Sequence, residues 1–147
     1  MKVDDIMSRS VVTVEMDDRL STVKALFDGA HIHHLLVVDG GELVGVVSDR
    51  DLYKAISPNI GKGRCTTQDL ATLERCVHAI MSRHPLTLEA GSPVGAAVAL
   101  FDQHPVSCIP IVEQGKYIRG IVSWRDIIRH FDNIAFDNFA RARARGA

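Results

Sequence analysis

Hydrophobic and polar positions follow the same order twice along the chain. In each copy, a short predominantly apolar run precedes apolar residues spaced three and four apart, and two continuous apolar runs then flank a turn that contains glycine. A second stretch with helical spacing follows. Spacings of three and four indicate helices, whereas short apolar runs bounded by turn residues indicate strands. The pattern therefore predicts an α/β (α+β) chain of two β-α-β-β-α repeats.

Identical residues in the two copies support the repeat. The tetrapeptide Ile6–Arg9 recurs as Ile80–Arg83, and the segment Gly45–Asp51 is matched by Gly120–Asp126. The two copies of the second segment are separated by one residue more than the two copies of the first. One repeat is therefore one residue longer than the other near Asp39–Glu42 or its counterpart. Because the tip of a hairpin tolerates such a change, a turn is predicted there.

Each repeat contains the same predicted elements. The first helix is expected to be capped by Asp18 in one copy and by Ser92, with Pro93 at its first helical position, in the other. The hairpin strands are continuous apolar runs, so burial on both faces is expected. A second helix is predicted to begin after Ser48 and after Ser123. The predicted strands are Val11–Val14, Leu35–Val38 and Leu43–Val47, matched by Pro85–Leu88, Ile109–Val112 and Tyr117–Val122.

These elements divide the chain into four segments. Residues 1–56 form the first repeat and residues 77–131 the second. Residues 57–76 form a linker, in which Thr66–Asp69 is typical of the start of a short helix. Residues 132–147 are predicted to extend the last helix into a basic tail, whose dispersed arginines indicate a solvated helix end rather than a nucleic-acid patch.

The apolar stripe of the last helix continues beyond the second repeat. Ile128, Phe131, Ala135 and Phe139 keep the spacing of three and four. Together with the other helices they offer more apolar surface than a core of this size buries, and such exposed surface usually marks an interface. The sequence therefore predicts a homodimer.

Composition restricts the partners further. The 17 Lys and Arg against 18 Asp and Glu give a formal charge of -1, so no global field attracts nucleic acid or an anionic membrane. No apolar run approaches the roughly 18 to 20 residues that span a bilayer, and the acidic N-terminus is unlike a signal peptide. Three irregularly spaced cysteines indicate reduced thiols. We therefore expect a cytoplasmic protein without nucleic-acid or membrane partners.

The most informative motif is Gly-Val-Val-Ser-Asp-Arg-Asp with its copy Gly-Ile-Val-Ser-Trp-Arg-Asp, each joining a strand to a helix. The serine near a helix N-terminus and the following arginine suit a phosphate. The final aspartate can accept two hydrogen bonds from a vicinal diol such as ribose. The alternative is that serine and aspartate only form a capping box. The residues concerned are Ser48, Arg50, Asp51, Ser123, Arg125 and Asp126.

The order of these motifs resembles tandem cystathionine β-synthase (CBS) domains. The resemblance spans about residues 3 to 131 and rests on the duplicated Ile-Met pair, the hairpin with Asp39 or Glu113 at its turn, and Gly-x-x-Ser-x-x-Asp. It implies two repeats packed about a pseudo-twofold axis, called a Bateman module. It also implies two clefts that bind AMP, ADP, ATP or S-adenosylmethionine as regulatory ligands. Sensing rather than catalysis is implied, with no required cofactor.

The resemblance also implies which residues line each cleft. The serines and aspartates of the duplicated motif match the phosphate and ribose contacts. Polar residues on the first strands match positions near the adenine or ribose, and the residues just before the hairpins match contacts to the base or phosphates. One departure is Leu36, where the family often has the proline present here as Pro110. The additional positions are Thr13, His33 and His34 in the first repeat and Thr87, Ser107 and Cys108 in the second.

Three functional hypotheses follow. The first is a stand-alone adenine-nucleotide sensor that signals to an unidentified effector protein. The second is a constitutive dimeric scaffold with empty or vestigial clefts, against which the two Ser-x-x-Asp motifs argue. The third, a small enzyme acting on nucleotides, lacks a nucleophile elbow or phosphate-binding glycine loop. A metal site is not expected, because His31 and His33 would share one face of a strand while His34 points away.

Overall fold

The computed structural model describes residues 1–146 and has a mixed α+β fold. The chain divides into two compact units that do not coincide with the two sequence repeats. One unit is Val11–Pro85. The other combines Met1–Ser10 with the chain from Leu86 onward. The first ten residues therefore pack with the second repeat, and the start of the second repeat packs with the first.

The unit Val11–Pro85 contains a four-stranded sheet in the order β1-β2-β3-β4. Strand β1 runs parallel to β2, whereas β2 and β3 form an antiparallel hairpin and β4 pairs antiparallel with β3. Three α-helices and two short 3₁₀ helices, Thr72–Glu74 and Val77–Ala79, accompany the sheet. The elements are β1 Thr13–Glu15, α1 Leu20–Gly29, β2 His34–Asp39, β3 Glu42–Ser48, α2 Asp49–Ala55, α3 Thr67–Ala71 and β4 Ser82–Arg83.

The second unit repeats this arrangement with a three-stranded sheet in the order β5-β6-β7. Strands β5 and β6 are parallel, and β6 and β7 form the hairpin. Ser8 makes an isolated antiparallel bridge to Ile121 in β7, at the place that β4 takes in the other sheet. The elements are β5 Leu88–Glu89, α4 Val94–Gln103, β6 Cys108–Glu113, β7 Tyr117–Ser123, α5 Trp124–Arg129 and α6 Phe131–Arg145.

The predicted helical stripes lie in two hydrophobic cores. In the first unit, Leu20, Val23 and Phe27 of α1 are buried against the hairpin and α2. In the second unit, Val94 and Ala97 of α4 are buried, and Leu100 and Phe101 pack at the edge of the core. The two cores also contain Leu35, Val37, Val47 and Leu52, and Val3, Ile6, Ile109, Ile111 and Val122, respectively.

The two predicted caps of the first helices are wrong. The N-cap of α1 is Arg19, and the Asp18 carboxylate instead accepts the Glu15 N–H at 2.8 Å within the preceding turn. Helix α4 begins at Val94 after an extended Pro93, without a side-chain cap. Backbone contacts replace it, since the Val94 N–H donates to the Met1 carbonyl. The predicted start of the linker helix is confirmed, because Thr66 caps α3 and pairs with Asp69 in a capping box.

Burial differs between the two strands of each hairpin. Strands β2 and β6 are buried along nearly their whole length, as their continuous apolar runs predict. Strands β3 and β7 alternate between buried and partly exposed residues, so the expectation of burial on both faces is wrong for them. Val47 and Val122 point into the cores, whereas Val46 and Ile121 are only half-buried.

The long C-terminal helix is interrupted. Helix α5 ends at Arg129, and α6 begins at Phe131 after His130, whose ring Nδ1 lies 2.9 Å from the Asp126 carbonyl oxygen. Asp137 of α6 accepts a hydrogen bond from the Met1 amine, and this contact lowers the pKa of its carboxyl group. In the described part of the chain, no helix is long and apolar enough to cross a membrane.

Candidate functional site

Several of the predicted site residues of the first repeat lie at one end of its sheet. Thr13 begins β1 and His34 begins β2, and these strands are parallel. Ser48 ends β3 and is directly paired with His34 across the hairpin. The hairpin therefore brings His34, Ser48 and the first turn of α2 together, with Thr13 on the neighbouring strand.

Ser48 and Asp51 form a reciprocal capping box at the start of α2. The Asp51 N–H donates to Ser48 Oγ at 3.1 Å, and the Ser48 N–H donates to Asp51 Oδ2 at 2.9 Å. The capping box, the structural alternative for this motif, is thus observed. The helix cap uses only part of the hydrogen-bonding capacity of Asp51, since the two oxygens of a carboxylate offer about four acceptor positions. The cap fixes the Asp51 side chain in one place, which also suits a ligand-binding group.

The second repeat has the same arrangement at the start of α5. The Ser123 N–H donates to Asp126 Oδ2 at 2.7 Å, and the Asp126 N–H donates to Ser123 Oγ at 3.4 Å. Ser123 is paired with Cys108 across the hairpin, as Ser48 is with His34. The duplicated motif therefore has a duplicated geometry.

A histidine and aspartate pair distinguishes the first of these sites. His33 Nδ1 lies 2.9 Å from Asp49 Oδ2, and the Arg50 N–H donates to Asp49 Oδ1 at 2.8 Å. Burial alone would raise the pKa of Asp49, but these hydrogen bonds and the neighbouring His33 and His34 outweigh it and lower the pKa. Asp49 is consequently an ionised group beside Ser48.

His34 is held mainly in its neutral form. Burial lowers its pKa below 6.5, and the charge of His33 acts in the same direction, whereas Asp49 and Asp51 oppose the shift. At neutral pH, the His34 ring is therefore mostly uncharged. A bound anion would have to raise this pKa before His34 carried a positive charge.

The matching positions in the second repeat are chemically different. Ser107 and Trp124 replace His33 and Asp49, and Cys108 replaces His34. Burial raises the pKa of the Cys108 thiol to about 12, so this group stays neutral. The Arg125 guanidinium lies 5.9 Å from the centre of the Trp124 ring, within the range of a cation–π contact. Thr87 lies just before β5 and is half-buried.

Two basic residues near Asp51 were missed by the sequence reasoning. An open pocket of about 280 Å³ lies along α2 and is lined by Asp51, Lys54, Ala55, Arg75 and Ile80. Lys54 could have been found from the sequence, because it lies three residues after Asp51 and matches Arg129 in the second repeat. Arg75 lies in the linker, where neither spacing from a motif nor a matching residue in the other repeat indicates a role for it.

The histidine cluster does not have the expected strand geometry. Strand β2 begins at His34, so His31 and His33 precede it rather than sharing one of its faces. Within residues 1–146, no group of three or more His, Cys, Asp or Glu side chains is arranged to hold a metal ion.

The chain belongs to the CBS domain family, whose model matches residues 3–58 and 77–133. A CBS domain-containing protein of Dictyostelium discoideum is 31% identical over 128 residues, covering 86% of this chain and 88% of that protein. An uncharacterized protein of Methanocaldococcus jannaschii, MJ1404, is 28% identical over 137 residues. The match covers 90% of this chain but only 32% of the length of that relative.

Solved structures agree with the family assignment. The CBS domain pair of protein MJ0100, in complex with 5′-methylthioadenosine and S-adenosyl-L-methionine, has a TM-score of 0.73 and 26% identity. The match covers 90% of this chain and 97% of that one. CBSX2 in complex with AMP has a TM-score of 0.74 at 23% identity, with 91% of this chain and 98% of that one covered, and it supports the fold alone. The fold is therefore that of a CBS domain pair.

Proposed function

We propose that the protein is a regulatory sensor of adenosine-containing ligands. The observation that carries this proposal is the reciprocal Ser-x-x-Asp pairing that recurs at the ends of β3 and β7. The helix caps account for one use of each carboxylate, but a carboxylate offers about four acceptor positions, so both can also accept hydrogen bonds from a ligand. The complex of the MJ0100 domain pair with two adenosyl compounds supports the same ligand class.

Each candidate residue has a chemical role in this proposal. Asp51 and Asp126 accept hydrogen bonds from the ribose hydroxyls, which a carboxylate can do with both oxygens. The family resemblance gives the serine hydroxyls and the exposed Arg50 and Arg125 as candidates for contacting phosphate where the ligand carries one. The remaining candidates contact the base, the sugar or the phosphates, and these are Thr13, His33, His34, Thr87, Ser107 and Cys108.

Sensing requires the ligand to favour one arrangement of the protein over another. A ligand shifts such an equilibrium only by the difference in its affinity for the two arrangements. In the proposal, occupancy changes what the outer surface offers to an effector protein. The module itself performs no catalysis and requires no cofactor.

We also propose that the protein is a cytoplasmic homodimer. Cys65, Cys76 and Cys108 are free thiols, which fits a reducing compartment. Phe131, Phe136 and Phe139 of α6 are all exposed, and a second copy of the chain would cover this apolar surface.

Native mass spectrometry of protein taken directly from cells tests these proposals together, because it reports a retained ligand and the subunit number in one measurement. We expect a dimer carrying an adenosyl compound. Thermal unfolding provides the independent check, since a ligand bound only by the folded state raises Tm. If AMP, ADP, ATP and S-adenosylmethionine at about millimolar concentration all leave Tm unchanged, the scaffold hypothesis replaces the sensor.

A further inference from the structure

The pocket along α2 combines a carboxylate, that of Asp51, with two cationic side chains. Asp51, Lys54 and Ala55 are three and four residues apart, so they lie on one face of the helix, with Cβ atoms of such neighbours about 5–6 Å apart. Arg75 and Ile80 complete the lining. All five residues belong to the unit Val11–Pro85.

Arg75 is positioned by the end of α2. Its Nη1 lies 3.4 Å from the Ala55 carbonyl oxygen, one of the carbonyls that a helix leaves without an internal partner. A guanidinium has five N–H donors, so this contact leaves most of them for another acceptor. The exposed Lys54 ammonium adds three more donors at the same pocket.

The charges favour a ligand with both hydroxyl and anionic groups. Lys54 and Arg75 attract a phosphate, whereas Asp51 repels a free anion but accepts hydrogen bonds from hydroxyls. A nucleoside 5′-phosphate carries these groups on one sugar ring. The volume of about 280 Å³ is near the lower limit of small-molecule pockets, about 300 Å³, and suits a sugar phosphate rather than a whole dinucleotide.

We propose that Lys54 and Arg75, in place of Ser48 and Arg50, determine the ligand specificity of the first site by recognising a 5′-phosphate beside the ribose held by Asp51. This inference rests on the proposed function, which assigns the ribose to Asp51. Adenosyl compounds that carry a thioether or a sulfonium at the 5′ position have no phosphate beside the ribose, and the two cations repel the sulfonium. The first site therefore prefers AMP to adenosine or S-adenosylmethionine.

The preference is tested by calorimetric titration with AMP, adenosine and S-adenosylmethionine. An Asp126→Asn background weakens the second site, so that binding at the first site dominates the signal. Losing charged hydrogen bonds to phosphate costs roughly ten- to a hundredfold in affinity. In Lys54→Gln/Arg75→Gln, we expect AMP to bind weaker by this factor and adenosine to change less than about twofold.

Lys62→Gln/Arg64→Gln is the matched control, because it removes the same charge from linker positions that do not line the pocket. It should keep the preference for AMP over adenosine. Thermal unfolding of each variant checks that the fold is retained. An AMP preference that survives in Lys54→Gln/Arg75→Gln, or falls equally in the control, overturns the role of these two residues. Absence of binding of all three compounds to the unmodified protein overturns the proposed function itself.

Discussion

Asp51 contributes to folding and, in the proposed function, also to ligand binding. Asp51→Ala removes the acceptor of the Ser48 N–H, and losing a helix-capping hydrogen bond costs about 0.5–2 kcal/mol of stability. It also removes the carboxylate that would hold the ribose. We therefore expect the variant to have a lower Tm and a smaller rise of Tm on adding ligand, both measurable by scanning fluorimetry.

The chain contains its own control for this experiment. Asp69 accepts the Thr66 N–H at 2.8 Å in the same kind of capping box at α3, away from the strand ends. Asp69→Ala should lose at least as much stability, because Asp69 also accepts hydrogen bonds from Ser57 Oγ at 2.7 Å and Thr66 Oγ1 at 3.0 Å, but should retain the full ligand-induced rise of Tm. If the two variants lose the same fraction of that rise, Asp51 acts through the fold and is not a ligand contact.

His34 makes stability depend on pH. Because burial lowers its folded pKa below 6.5, the unfolded chain binds more protons as the pH falls through this range. Stability is present above the unfolded pKa and is lost as pH falls toward the folded pKa, by at most about 1.4 kcal/mol per pH unit for one proton. Asp49 stays ionised in this range because its own pKa is lowered from 3.8, and the opposing charges of Asp49 and Asp51 keep the loss below that maximum.

Urea unfolding of the protein and of His34→Gln at about pH 7.5 and about pH 5.5 isolates this contribution, since the other histidines are common to both. The unmodified protein should lose more free energy of unfolding on acidification than the variant. An equal loss in both would show that His34 is not neutral in the folded state.

At the scale of elements, the Ile-Met pair and the Gly-x-x-Ser motif of the repeat lie in contact. A Cβ atom at Gly45 would lie 2.7 Å from Met81 Sδ and 3.0 Å from the Ser82 carbonyl oxygen, and one at Gly120 would lie 2.7 Å from both Met7 Sδ and the Ser8 carbonyl oxygen. The glycine that opens Gly-x-x-Ser is thus the contact surface for the methionine of the Ile-Met pair. Each methionine comes from the other sequence repeat.

Gly120→Ala should therefore destabilise its unit. Overpacking of a filled core costs about 1–3 kcal/mol, and a backbone carbonyl cannot rotate away as a side chain can. Gly95→Ala in α4 is the control, because its added Cβ meets no atom within 4 Å apart from its chain neighbours and the backbone of its own helix, and alanine favours a helix over glycine by up to about 1 kcal/mol. Urea unfolding should show opposite signs for the two variants. A neutral Gly120→Ala would mean that the segment carrying Met7 does not pack tightly on β7.

The sequence pattern predicted which helices and strands form better than it predicted where they end and which residues they contact. Continuous apolar runs located both hairpins to within a residue or two, because strand pairing and burial act on the same residues. The caps of α1 and α4 were not predictable from Asp18 and Ser92, since backbone groups from residues distant in sequence, Arg75 and Met1, accept the hydrogen bonds there. The break at His130 was likewise hidden by an unbroken apolar spacing.

At the scale of the whole molecule, the exchange of segments means that neither sequence repeat contains its own complete unit. Residues 1–56 lack Met81 and β4, and residues 77–131 lack Ser8 and Met7. The sequence predicted the repeats but not this exchange, because identical motifs in both copies leave the choice of partner open. The positions of the ligand-binding candidates followed from the motif, whereas Arg75 depended on how the linker returns to α2.

The homodimer prediction concerns the exposed side of α6. Phe136 is 76% exposed and Phe139 is 64% exposed, and burying a phenylalanine side chain contributes about 1.5–3 kcal/mol. Because each substitution acts in both copies, Phe136→Ser/Phe139→Ser should weaken dimerisation by at least about a hundredfold. Sedimentation equilibrium over a range of protein concentrations measures this change. Tyr117→Ser, at an exposed aromatic residue that begins β7, is the control and should leave the dimer intact. A monomeric unmodified protein at micromolar concentration would reject the dimer, and an unchanged dimer in the double variant would exclude α6 from its interface.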